Sequence, residues 1–449
     1  MITLSFAAPE LEALRAALAH SSLESAGVLL CVPVPLKSEG GWRLLVRETH
    51  VAKTEDYLER TPTGVKLNPS FCLPLEKKAR LQGWSLVYTH THPQQAVAQF
   101  SSIDDRYEEP MREYLAARAP AAPHLALLFS REQTLARVIG TKEYVRVIEV
   151  GSSVVVAADP GEPERLEERF DRQIRAFGTE GQQRLATLEV AIVGLGGTGS
   201  LVVQQLAHLG IRRFVVVDDD TVEATNLNRV VGATASDAGR TRKVDLAERQ
   251  IRSIQPNAVV TSIAGDVTSA SVARRVIEAD FIFSCTDTQA SRHVLNQAAH
   301  QYRVPLIDLG VSITVGENAS ARFAGHVKMV SPDLPCLWCI RNLDAQQVRE
   351  GLMTAEHRAA DPYFQGGLGV QQPAVISLNG VVASVAVTMF LSAIAGVPSP
   401  GRYVIYDGNR ARMNAVTALA DPGCNFCGAD STAGWGDSYP LPVRRDVQS

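Results

Sequence analysis

Gly194-Leu-Gly196-Gly197-Thr-Gly199 ends one apolar run, LEVAIVG, and opens another that extends to Leu209. A strand turning tightly into a helix presents unpaired backbone N–H groups at the positive end of the helix dipole, which suits a nucleotide phosphate. Asp218 closes the following apolar run, RFVVVDD, where a carboxylate can accept hydrogen bonds from both ribose hydroxyls. A ligand-free turn could use the same glycines, so the residues that come next decide. They are Asp218, Asp219 and Asp220, then Asn226, Arg229 and Lys243, and Asp287 within SCTDT. Two cations and several carboxylates would then surround one crevice at the carboxyl ends of the strands. A nicotinamide-dependent Rossmann oxidoreductase, which remains an alternative, has no need of that set. ATP cleavage does need it, because an attacking carboxylate repels the triphosphate until Arg, Lys and Mg²⁺ neutralise the charge developing on the α-phosphate and pyrophosphate.

Two further groups have metal-ligand spacing. Cys336-Leu-Trp-Cys339 and Cys424-Asn-Phe-Cys427 are CxxC knuckles that can close one tetrahedral thiolate site, and Zn²⁺ held by four sulfurs is structural. Two reduced pairs without metal is the bland alternative, but Cys424 and Cys427 lie in a turn-rich tail with little core to bury thiols. Cys31, Cys72 and Cys285 lie in or near apolar runs and read as reduced core thiols. His90-Thr-His92-Pro, followed by Ser101-Ser-Ile-Asp104, sets two imidazoles on one face of a strand end and a carboxylate on the next helix. Three such ligands leave a fourth position for water, the arrangement of catalytic zinc, and Glu24, at the start of a strand, could take that water's proton.

The elements that must position these groups fall into two parts. Apolar runs at 26–32, 86–88, 124–129 and 144–150, with a helix over 103–118, predict a mixed α+β domain over residues 1–155. The stretch 157–164 has linker composition, and a charged helix is expected over 165–177. Strand and helix then alternate through LEVAIVG, RFVVVDD, a helix over 238–253, AVVTSIAG, FIFSCTD, a helix over 289–302 and VPLIDLG. That alternation predicts a Rossmann-like, doubly wound parallel sheet over 156–449, an α/β architecture that ends in a zinc-knuckle region. Strands over 322–330 and 403–406 and an irregular stretch over 342–372 complete it. Residues 376–397 are almost uncharged, but Asn379, Gly380 and several Ser and Ala favour a helix buried against the sheet over a membrane span. A net charge of −4 provides no basic excess for nucleic acid, and the N-terminus lacks a signal-peptide pattern, so a cytoplasmic protein with neither nucleic-acid nor membrane partners is expected.

The order of the nucleotide-site motifs resembles the ThiF/MoeB family, the bacterial relatives of ubiquitin-activating enzymes, over roughly residues 165–428. The resemblance implies that Gly194, Gly196 and Gly199 form the nucleotide loop, that Asp218 holds the ribose, that Asn226, Arg229 and Lys243 meet the phosphates, and that Asp287 holds Mg²⁺. Arg172, in Arg169-Phe-Asp-Arg172-Gln, resembles the family's arginine that enters the partner subunit's active site, which implies a homodimer; read locally it is a solvated helix charge. Paired knuckles also recur in that family. Members that form a thioester use a cysteine in the irregular segment after the sheet, and residues 342–372 contain none. Cys285, at a strand end, is no obvious substitute. Either the adenylate passes directly to another acceptor, the favoured option, or a hydroxyl such as that of Thr354 serves.

His90, His92, Asp104, Ser101 and Glu24 together resemble the JAB/MPN (JAMM) metallopeptidases over residues 2–151. That resemblance implies zinc on His90, His92 and Asp104, Glu24 as general acid/base, and Ser101 as the donor to the tetrahedral intermediate. His92 and Ser101 are one position further apart than the common pattern, which makes Asp105 a rival ligand. JAMM enzymes cut after the C-terminal glycine of ubiquitin-like proteins. Both resemblances therefore imply one partner, a small ubiquitin-like protein that the chain adenylates with ATP and also processes or removes. Activation of a sulfur-carrier protein for cofactor or amino-acid biosynthesis is the alternative, with a conjugating enzyme or a sulfur donor as further partner.

Overall fold

The structure, a computed structural model, describes residues 1–449 other than 20–21, 39, 120–121, 162–165, 316–320, 354–372, 400, 429 and 446–449. Thr354, most of the irregular stretch 342–372, the end of the expected linker and the first residue of the expected helix at 165 lie outside the described residues. The chain divides into two units, Met1–Glu162 with Gln301–Arg303 and Ala433–Pro440, and Pro163–His300 with Val304–Thr432 and Leu441–Ser449.

The first unit is built on an eight-stranded mixed sheet. In chain order its strands are β1 (Ile2–Ala7), β2 (Ala26–Leu36), β3 (Gly41–Val51), β6 (Ser85–Thr91), β7 (Leu125–Phe129), β8 (Thr134–Val138), β9 (Arg146–Val150) and β10 (Val154–Ala158), and the spatial order is β10-β9-β1-β3-β2-β6-β7-β8. A separate hairpin pairs β4 (Tyr57–Thr61) with β5 (Gly64–Leu67). Helix α1 (Glu10–Leu18) packs against β1 and β3, α2 (Pro69–Gln82) packs against β2 and β6, and α3 (Ser102–Arg118) follows β6. The expected cut at 155/156 falls inside β10, which continues the sheet by antiparallel pairing with β9. Sequence periodicity also could not assign the two distant stretches to this unit. Within it, Gln301 Nε2 donates to the carbonyls of Gly436 (2.7 Å) and Tyr439 (2.6 Å), Arg303 donates to the carbonyls of Ser5 (2.8 Å) and Val46 (2.6 Å), and Trp435 meets Trp84 edge-on at 5.9 Å.

The second unit carries β11 (Glu189–Val193), β12 (Arg213–Val217), β13 (Val259–Ile263), β14 (Phe281–Ser284) and β15 (Leu306–Val315) as parallel neighbours in the order β13-β12-β11-β14-β15. Strands β16 (Ala321–Val330), β17 (Tyr403–Asp407) and β18 (Arg412–Ala415) extend it antiparallel. Every residue of β11 and β14 is buried, as expected for continuous apolar strands covered on both faces. Helices α4 (Asp171–Thr187), α5 (Gly197–Leu209), α6 (Lys243–Ile254), α7 (Ala270–Val276), α8 (Gln289–Gln301) and α9 (Ala345–Leu352) precede α10 (Ile376–Ala395). The uncharged α10 packs against α4, α5, β15 and β16, which accounts for its composition. Because β11 pairs with β12 on one side and with β14 on the other, the connections leave in opposite directions and open a crevice at the carboxyl ends of the strands.

Candidate functional site

The crevice begins with backbone. Gly194 follows β11 with φ of +89°, and a Cβ on Gly199 would lie 1.9 Å from the Gly194 carbonyl oxygen, so the turn into α5 closes only with glycine at both positions. A Cβ on Gly197 would meet Asn379 Nδ2 at 2.1 Å, which places an amide of α10 against the start of α5. Gly196 caps α5 without a side-chain acceptor, leaving the first N–H groups of that helix free of a cap.

Asp218, just past β12, accepts from Leu195 N (2.6 Å) and Asp220 N (3.0 Å) and so ties the glycine turn to its own strand end. Burial raises its pKa against the opposing pull of Lys243 and those N–H groups. Lys243, at the first turn of α6, stands 3.6 Å from Asp218 and 2.6 Å from Asp220; the two carboxylates outweigh burial and raise its pKa. Asn226 is buried and accepts from Glu223 N at 3.1 Å. Arg229 donates to the Thr225 carbonyl (2.5 Å) and to Asn228 Oδ1 (3.2 Å), while its Cδ lies 3.4 Å from where a Gly197 Cβ would be. The loop cation therefore covers the glycine turn. Asp287 is exposed, two residues past Cys285, whose carbonyl oxygen would be 2.7 Å from a Gly194 Cβ. Asp218, Asp219 and Asp220 form an acidic cluster, and Asp287 does not belong to it. Burial and Asp308 drive the pKa of the Cys285 thiol up. Arg172 is exposed on α4.

In the first unit, His90 and His92 at the end of β6 and Asp104 in the first turn of α3 converge. His90 Nε2 lies 3.2 Å from His92 Nε2 and 3.2 Å from Asp104 Oδ1, and His92 Nε2 lies 3.5 Å from Asp104 Oδ2. Ligands about 2.0–2.2 Å from one tetrahedral zinc stand about 3.3 Å apart, so the donor set fits. The period of two along β6 puts both imidazoles on one face, and the α3 capping box supplies the carboxylate. Ser101 N and Oγ donate to Asp104 Oδ2 at 2.5 and 2.8 Å, and Asp104 N donates back to Ser101 Oγ at 3.2 Å. Hydrogen bonds from His90 and Ser101 hold the Asp104 carboxyl well below its ordinary range even though burial opposes them. Asp105 turns away to Arg137 (2.8 Å) and Lys142 (2.8 Å). Glu24, 4% exposed, stands 3.6 Å from His92 Nε2; burial and Asp104 push its pKa up to about 7 against the pull of His90.

Sequence reasoning missed the groups that hold these side chains. Gln95 Oε1 meets His92 Nδ1 at 3.1 Å and aims Nε2 at the cluster; a polar side chain just past the second histidine was the available signal. The β4–β5 hairpin fixes Glu24, whose N donates to the Thr61 carbonyl (2.9 Å) and whose carbonyl accepts from Arg60 Nε (2.9 Å). No local signal marks that pairing.

The four knuckle cysteines gather in the second unit with Sγ separations of 3.7 Å (Cys336–Cys339), 3.6 Å (Cys336–Cys424) and 3.4 Å (Cys339–Cys427). All four sulfurs lie within 4.8 Å of one another, close to the roughly 3.8 Å expected between thiolates on one zinc. Trp338 and Phe426, one from each knuckle, stack at 5.8 Å with His293 edge-on to both.

A protein-family model described as "ThiF family" matches residues 170–426. Among known proteins, the "Molybdopterin-synthase adenylyltransferase" of Escherichia coli K12 is 29% identical over 266 residues, 58% of this chain and 96% of that one. The "SAMP-activating enzyme E1" of Haloferax volcanii is 30% identical over 58% of this chain and 88% of its own length. The "Sulfur carrier protein ThiS adenylyltransferase" of Escherichia coli K12 is 27% identical over 59% and 96%.

Proposed function

The chain belongs to the ThiF family, and from that premise we propose that its second unit adenylates the C-terminal carboxylate of a small sulfur-carrier or ubiquitin-like protein. The carrying observation is the closed glycine turn with Asp218, Arg229 and Lys243 gathered about it. A carboxylate oxygen of the carrier attacks the α-phosphorus of ATP, the bond to the bridging α–β oxygen breaks, and pyrophosphate leaves. Asp218 holds the ribose, and the α5 N-terminus, Asn226, Arg229 and Lys243 stabilise the charge that moves onto the departing phosphates. Asp287 would hold Mg²⁺, which neutralises the same charge. The names of the relatives favour a sulfur carrier at least as strongly as a protein modifier. We infer that a sulfur donor or another acceptor attacks the adenylated carboxyl carbon directly and expels AMP, in a homodimer in which Arg172 serves the partner's site.

For the first unit we propose a zinc-dependent peptidase or isopeptidase that processes the same carrier, on the geometry of His90, His92, Asp104 and Glu24 alone. Zinc on those ligands would supply an activated water. Glu24, whose pKa burial raises to about 7, is suited to accept and return a proton, and Ser101 Oγ, by turning its O–H away from Asp104 Oδ2, to donate to the developing oxyanion.

The test is ATP–pyrophosphate exchange by the purified full chain. Exchange that appears only with a small protein ending in Gly-Gly, and is lost in Asp287→Ala, supports the reading. Equal exchange without any carrier contradicts it.

A further inference from the structure

Residues 219–242, between β12 and α6, carry Asp220, Asn226 and Arg229 and lead directly into Lys243, yet their regular structure is one 3-10 turn, Ala224–Asn226. Near their end lies Asp237, which is 3% exposed. Its carboxylate accepts from Thr234 N (2.8 Å), Thr234 Oγ1 (2.7 Å), Thr241 Oγ1 (2.9 Å) and both Nη1 and Nη2 of Arg249 on α6 (2.9 Å each). Arg249 also donates to the Gly232 carbonyl at 3.3 Å. Around this staple, Val222 N donates to Thr241 O and Gly239 N to Val222 O, and Val222, Val230 and Leu246 form a small apolar cluster. Val231 N donates to Ser200 Oγ at 3.1 Å, which ties the loop to α5.

We propose that Asp237, paired with Arg249, is a positioning residue for the nucleotide's phosphates: it fixes the loop that sets Arg229 over the glycine turn and Lys243 beside Asp218. This rests on the nucleotide site proposed above. A bidentate Arg–carboxylate pair fixes orientation as well as distance. The Arg249 pair and the Thr234 bonds also hold the Asp237 carboxyl well below the ordinary carboxylate range. Asp237 reaches none of the nucleotide-facing groups itself, so its effect passes through the loop, where a misplacement of about 1 Å can cost up to ~100-fold.

Calorimetric titration of the full chain with Mg-ATP and with AMP, alongside thermal unfolding, tests the proposal. AMP keeps the ribose contact with Asp218 and the α-phosphate but lacks the departing β- and γ-phosphates whose charge Arg229 and Lys243 would meet. Asp237→Asn and Arg249→Met should each weaken ATP binding about tenfold or more and AMP binding by about twofold or less, with Arg249→Lys recovering part of the loss. The double variant should be no worse than either single one. Equal losses for ATP and AMP, or unchanged ATP binding, overturn the positioning role while leaving the nucleotide site standing. If Asp237→Asn does not fold, Arg249→Met carries the test. A wild-type chain that binds no ATP overturns the proposed nucleotide site and the positioning role with it.

Discussion

The His90–His92–Asp104 cluster and the nucleotide crevice differ in what is already assembled. In the cluster the side chains themselves converge, with ligand atoms 3.2 to 3.5 Å apart. In the crevice the backbone is set while the side chains are engaged locally: Lys243 rests on Asp220, Arg229 on the Thr225 carbonyl, and Asp287 is exposed. Strand alternation and a helix cap can fix three short side chains to within a few tenths of an ångström. On the proposed reading a triphosphate would be gripped by long cationic side chains, Arg229 on the loop and Lys243 at its end, which would exchange protein acceptors for phosphate oxygens. On that reading one region would select its ligand by preassembly and the other by exchange of partners.

Five substitutions can break or sharpen that contrast. Asp287→Ala should reduce ATP–pyrophosphate exchange by about 10³-fold or more, because the proposed Mg²⁺ ligand is lost where charge develops. Lys243→Ala should cost about 10²- to 10³-fold in kcat for exchange; a rate within a factor of a few of wild type would mean that Lys243 stays with Asp218 and Asp220 and never engages phosphate. Cys424→Ser should remove one equivalent of zinc by elemental analysis and lower the Tm, since the binding energy of a structural metal is folding energy. Asp104→Asn, which alters a proposed direct ligand, should weaken zinc binding at the first unit by at least the roughly 10- to 100-fold that loss of an outer partner costs, while Asp105→Asn, whose side chain is held by Arg137 and Lys142, leaves it near wild type by competition with a chelator. If both variants weakened zinc equally, the first region would not be preassembled.

Much of the second unit was legible because buried parallel strands are continuous apolar runs: FIFSCTD gave β14, and GLGGTG gave the turn, since few other sequences close it. The helix expected over 238–253 begins instead at Lys243, because Asp237 and Thr241 draw the preceding residues into a side-chain-bonded loop. The histidine–carboxylate cluster of the first unit was legible, but which of Asp104 and Asp105 joins it was not. It is made by Arg137, a buried residue of β8 that pairs with Asp105 and Glu108. Asn379 stood out as an amide in an uncharged helix, yet only the fold brings it against Gly197. The participation of Gln301–Arg303 and Ala433–Pro440 in the first unit depends on contacts remote in sequence, for which no periodic pattern exists.

The claim that the crevice joins AMP to a protein's C-terminal carboxylate is tested most directly by the mass of the carrier. Incubated with the full chain, Mg-ATP and pyrophosphatase, a small protein ending in Gly-Gly should gain one AMP at its last residue, and Lys243→Ala should suppress the gain. An unmodified carrier, or AMP found elsewhere than the terminal carboxylate, contradicts the account.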